Sequence, residues 1–138
     1  MRVRPPIVIL LVEDDVVDVM DVRRAFDKAR IADSLHVASD GVDALARLRD
    51  EAWPCERSLV LLDLNLPKMN GLELLRALRA DAALRHLPVV VLTTSDEERD
   101  RAAAQGLDVD GYLVKPLRLE SFVELVAAIG ARWRDVAP

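Results

Sequence analysis

The chain has 138 residues, 51% hydrophobic and 31% charged, and its 24 acidic against 19 basic residues leave a net charge of −5 and a pI near 5.0. This balance excludes an intrinsically disordered chain, and without a basic surplus it argues against a face that neutralises nucleic-acid phosphates. The single Cys55 excludes an intrachain disulfide and a cysteine-based zinc site and fits a reducing compartment.

From the N-terminus, the run Ile7–Val12 is continuously apolar and is cut off by Glu13-Asp14-Asp15. It is far shorter than the ~18 residues of a membrane span and too abruptly acidic for a signal peptide, so a cytoplasmic protein is expected. Val19, Val22, Phe26 and Ala29, at steps of three and four, predict a first helix, and Leu35–Ala38 a second strand. Asp40-Gly41 opens a second helix carrying Val42, Leu45 and Leu48. Trp53 and Cys55 lie in a proline-containing loop before the strand Leu59–Leu62 and receive no functional role. Leu72, Leu75 and Leu78 mark a third helix and Val89–Leu92 a fourth strand. Ser95 with Glu98 forms a capping box for a weakly apolar fourth helix, 97–105. Tyr112–Val114 and the series Phe122, Leu125, Val126, Ile129 complete the pattern as a fifth strand and helix.

Strands without a polar alternate must be covered on both faces. Their alternation with helices predicts one α/β domain, a doubly wound five-stranded parallel sheet with helices on both faces, spanning residues 1–138 with a core from about 7 to 132. Right-handed crossovers bring all the strand C-terminal ends to one edge, where ligands of such folds bind. At that edge the pattern places Glu13, Asp14, Asp63, Thr93 and Lys115. Like-charged carboxylates ~5 Å apart at an effective dielectric of ~20 repel by about 3 kcal/mol per pair, so a cation has to offset them. Lys115 supplies one positive charge, and an all-oxygen ligand set points to Mg2+, or Mn2+ in its place, for the rest. A carboxylate beside such an ion can attack phosphorus and form an aspartyl-phosphate. Thr93 and Lys115 would then meet the phosphoryl oxygens as a hydroxyl donor and a point charge.

The segments ILLVEDD (9–15), LLDLNLPKMNG (61–71), VVVLTTS (89–95) and GYLVKP (111–116) carry a close match. In these motifs and their spacing the chain resembles the receiver domain of two-component response regulators over essentially its whole length. The resemblance implies a flavodoxin-like sheet of order 2-1-3-4-5 and Asp63 as phosphoacceptor. It also implies Mg2+ bound by Asp14, Asp63 and the backbone carbonyl of Asn65, with Glu13 acting through a metal-bound water. Thr93 and Tyr112 would be the switch residues and Lys115 the partner of the phosphoryl group, followed by a Lys115–Pro116 bond that is often cis. DLNLPKMNG, PVVVLTTS and the tail with Trp133 resemble the small single-domain regulators that serve bacterial phytochromes. This implies a sensor histidine kinase of the bacteriophytochrome type as phosphodonor, no output domain, and self-catalysed acceptance and loss of the phosphoryl group without an enzyme activity on other substrates.

Other assignments accompany these. Asp15 reads as a helix cap, Thr94 as a β-branched strand residue for which the resemblance also leaves a role in phosphoryl lifetime open, and Gly71 as relief of backbone crowding. His36 and His86 are away from the edge and are not phosphoryl carriers. Phe122 and Trp133 are candidates for a homodimer contact, Phe122 also fitting the core. A Mg2+-dependent phosphatase opening on DxDx[TV] is disfavoured, because Leu64-Asn65 after Asp63 lacks the second aspartate. The alternative is a degenerate receiver-like interaction module, although the acceptor, acidic pair and lysine such modules usually lose are all present.

Overall fold

The computed structural model describes residues 7–30, 32–64, 70–94, 106 and 108–136, with the side chains of the last helix described as far as Ala131. Five strands, β1 (Val8–Val12), β2 (Ser34–Ala38), β3 (Ser58–Asp63), β4 (Val89–Thr93) and β5 (Gly111–Val114), form one parallel sheet of order β2-β1-β3-β4-β5. Among the described residues there are four α-helices: α1 (Val16–Ala29), α2 (Gly41–Arg49), α3 (Gly71–Ala80) and α4 (Leu119–Val136). The expected helix 97–105 and its Ser95–Glu98 capping box lie outside the described residues.

The sheet divides the core in two by the alternation of side chains along each strand. Leu10, Val12, Val60, Leu62 and Val89 face one layer, where they meet Ala44, Leu45 and Leu48 of α2 and Leu74, Leu75 and Leu78 of α3. Ile9, Leu11, Leu59, Leu61, Val90 and Leu92 face the other, with Val22 and Ala25 of α1 and Phe122, Val126 and Ile129 of α4. All six residues of β3 are buried, as a central strand covered on both faces requires. Phe122 is 0% exposed in the second layer. As a dimer candidate it is therefore corrected: a side chain enclosed by the sheet and α1 has no surface to offer a partner. The side chain of Trp133, the other candidate, lies outside the described residues.

Short polar caps start the helices. Asp15 accepts from the amides of Val17 and Asp18 (2.8 and 3.0 Å), Asp40 from Asp43 (2.8 Å) and Asn70 from Glu73 (2.9 Å), each satisfying donors that the first turn leaves open. At the far end of α3, the Arg79 guanidinium donates to the carbonyls of Arg85, Leu87 and Asp108, fastening the approaches to β4 and β5 to that helix.

Gly71 begins α3 against the end of β3. A Cβ there would lie 2.5 Å from Leu64 Cα and 2.6 Å from the Asp63 carbonyl oxygen, contacts only backbone movement relieves. Gly71→Ala is therefore expected to cost about 1–3 kcal/mol in urea unfolding, the range of overpacked cores, and to displace the end of β3. An unchanged unfolding midpoint would show that the close approach imposes no constraint.

Candidate functional site

The strand register sets the site. Val12 is level with Ala38 and Leu62, so the next residues, Glu13 and Asp63, stand side by side on adjacent strands. Asp63 is level with Leu92 and Thr93 with Val114, so Thr93 and then Lys115 each stand one step further along the edge. Backbone bonds fix both ends of this row: the Glu13 amide donates to Ala38 O (3.0 Å) and the Lys115 amide to Thr93 O (2.9 Å). The Lys115–Pro116 peptide bond is cis.

The side chains converge as that register requires. Glu13, Asp63 and Thr93 are buried, while Asp14 is exposed at the mouth. Carboxylate oxygens of Glu13, Asp14 and Asp63 lie within 4.8 Å of one another. The Lys115 ammonium, with a side chain only 12% exposed, donates to Glu13 Oε2 (2.8 Å), Asp18 Oδ2 (2.9 Å) and Asp63 Oδ2 (3.1 Å). The other Glu13 oxygen accepts from the Asp15 amide at 3.2 Å. Tyr112, half-buried on β5, packs against the small cluster of Leu64 and Val91. Asn65 lies outside the described residues.

Asp18 is the site contact that the sequence reading does not contain. The sequence marks it only as an acidic residue in the first turn of the helix that Asp15 caps. Asp15 takes the capping role expected of it, and its bond to the Asp18 amide fixes the turn from which Asp18 projects.

The electrostatics follow from burial. Desolvation raises the Glu13 carboxyl from its ordinary 4.5 to about 7; Lys115 pulls it down, and the adjacent Asp63 pushes it up. Burial opposes the charge on Lys115, but its bonds to Glu13 and Asp18 and the field of Asp63 outweigh burial and raise its pKa, so it is cationic throughout the neutral range. Three clustered carboxylates with oxygen donors alone fit a hard divalent cation, and exposed Asp14 leaves one side open to water or a phosphate oxygen.

The raised Glu13 pKa has a definite sign. The fold binds this proton more tightly than the unfolded chain, so the stability it contributes is full below pH 4.5 and is lost as pH rises through about 7. In EDTA, the stability difference between the parent and Glu13→Gln is expected to move against the parent across that window. A difference independent of pH between 4.5 and 7 would contradict the assignment.

Comparisons with known proteins agree with this geometry. The family model of the response regulator receiver domain matches residues 9–127. Response regulator Rcp1 of Synechocystis sp. is 40% identical over 135 residues, covering 95% of this chain and 91% of that protein. The bacteriophytochrome response regulator RtBRR superposes with a TM-score of 0.81 at 39% identity, over 91% of this chain and 79% of that one. The phosphorylated cyanobacterial phytochrome response regulator RcpA gives 0.72 at 33% identity, over 97% and 98%. With its five-stranded 2-1-3-4-5 sheet and its acidic edge cluster, this chain belongs to the response regulator receiver domain family.

Proposed function

We propose that this protein is a phosphorylation-controlled response regulator in which Asp63 accepts a phosphoryl group from a histidine of a sensor kinase. The observation that carries the reading is the Lys115 ammonium, bonded at once to Asp63 and Glu13 at the open edge of the sheet. An Asp63 carboxylate oxygen attacks phosphorus, the P–N bond to the donor imidazole breaks, and the bond electrons leave with the imidazole. The acceptor then carries an acyl phosphate. Asp14 and Asp63, with the Asn65 carbonyl, would hold Mg2+ (or Mn2+) directly and Glu13 through water. The ion supplies charge neutralisation at the transferring phosphoryl oxygens.

The chain's own residues do the rest. Lys115 provides a fixed positive charge and Thr93 a hydroxyl donor, and drawing both towards the phosphoryl group pulls on the ends of β4 and β5. Tyr112 would follow that movement, a reading supported by its position on β5 beside Val91 of β4. Hydrolysis of the acyl phosphate by the domain itself resets the switch, and no other substrate is turned over. Similarity to RtBRR and RcpA supports a phytochrome-type kinase as the donor. The donor histidine must reach the pocket mouth, where Asp14 is followed by exposed Val16, Val17 and Met20, an apolar rim suited to a protein partner. Output runs through protein contacts, including a homodimer using the β4–β5 region or the C-terminal segment with Trp133. Exposed Val114 on the edge strand β5 supports the first of these. No helix among the described residues is long and apolar enough to cross a membrane.

Incubation with Mg2+ and acetyl phosphate, read by intact-protein mass, tests the acceptor. The parent is expected to gain one phosphoryl group and Asp63→Asn none. Gain by both would place the acceptor elsewhere, and gain by neither would remove phosphorylation from the reading.

A further inference from the structure

Lys115 has three partners, and they are not equivalent. An ammonium has three N–H donors, and Glu13, Asp18 and Asp63 accept one each at 2.8, 2.9 and 3.1 Å. Glu13 and Asp63 belong to the acidic cluster with Asp14, and Asp18 does not. Glu13 and Asp63 are strand-end residues, whereas Asp18 projects from the first turn of α1 and its side chain is 27% exposed.

We infer that Asp18 is a positioning residue, the carboxylate that keeps the Lys115 ammonium while Glu13 and Asp63 turn to the metal. The inference rests on reading Glu13, Asp14 and Asp63 as the Mg2+ site. Lys115 neutralises the same carboxylates that a divalent ion needs, so lysine and ion compete. An ion held there would repel the ammonium, which would have to yield its bonds to Glu13 and Asp63 without leaving the pocket. Asp18 is the acceptor that lets it do so. It already holds one of the three donors, its place is set by the Asp15 cap, and it lies outside the cluster that would turn to the ion. The freed donors then stand ready for the phosphoryl oxygens, with the lysine stem anchored on the α1 side.

This predicts coupling between Asp18 and Lys115 of a sign that simple charge effects do not give. If Asp18 acts only as one more negative charge attracting the ion, removing it weakens Mg2+ binding at least as much when Lys115 is gone, since its charge is then unneutralised. If Asp18 acts by holding Lys115, the loss occurs only while Lys115 is present.

The test is a double-mutant cycle of Asp18→Asn and Lys115→Met, both close in shape to the native side chains, in the full chain. Mg2+ affinity is read by calorimetry and folding of each variant by thermal unfolding. Asp18→Asn is expected to weaken Mg2+ binding about fivefold in the parent and by less than about twofold in the Lys115→Met background. An equal or larger loss in the Lys115→Met background overturns the positioning role while leaving the metal site intact. A parent that binds no Mg2+ overturns both the metal site and this inference. Asp18→Glu, which keeps a carboxylate within reach of Lys115, is expected to restore most of the affinity.

Discussion

One ammonium among carboxylates holds the functional edge of this protein together. Glu13, Asp14, Asp18 and Asp63 crowd one end of the sheet, and Lys115 bonds three of them at distances of 2.8–3.1 Å. Each like-charged pair at such spacing costs about 3 kcal/mol at an effective dielectric of ~20, so the cluster persists only with a compensating cation. Burial adds to the strain, and the fold answers it by moving the Glu13 carboxyl up to about 7 and holding Lys115 charged. The site is thus poised: it carries one built-in cation and has the donor set for a second.

The architecture makes such a cluster possible. A parallel sheet covered on both faces takes apolar residues along every strand, and its polar residues are expelled to the strand ends. All the strands run the same way, so their ends share one edge, and the register steps from Glu13 and Asp63 to Thr93 to Lys115 across it. Gly71 allows α3 to start against the carbonyl of Asp63, which fixes the end of β3. The apolar interior therefore serves the chemistry by holding the strands in place while the ends of β1, β3, β4 and β5 carry the polar groups.

Much of this is legible in the sequence for the same physical reason. Residues 59–62 and 89–92 are fully buried strands because an unbroken apolar run has nowhere else to go, and the polar residue that ends each run marks the edge. Edge strands leave weaker traces: β2 and β5 are only partly buried, and their short runs define their limits less sharply. Asp18 escapes notice because its role depends on the direction in which Lys115 crosses the pocket, which linear spacing does not encode. Arg79 escapes for a similar reason, since its acceptors are backbone carbonyls in three separate residues, and any residue type supplies a carbonyl. Phe122 shows the converse: helical spacing fits both a core and a contact face, and only the packing of α4 on the sheet decides for the core.

The central claim is that Lys115 stands in for a second cation at this edge, and the Mg2+ dependence of stability tests it directly. At pH 8, above the raised Glu13 value of about 7, urea unfolding of Lys115→Met in EDTA is compared with the same measurement at saturating Mg2+. The account predicts that the variant is less stable than the parent in EDTA, by up to about 3 kcal/mol, and gains more from Mg2+ than the parent does. A variant as stable as the parent in EDTA, with the same gain from Mg2+, would contradict it.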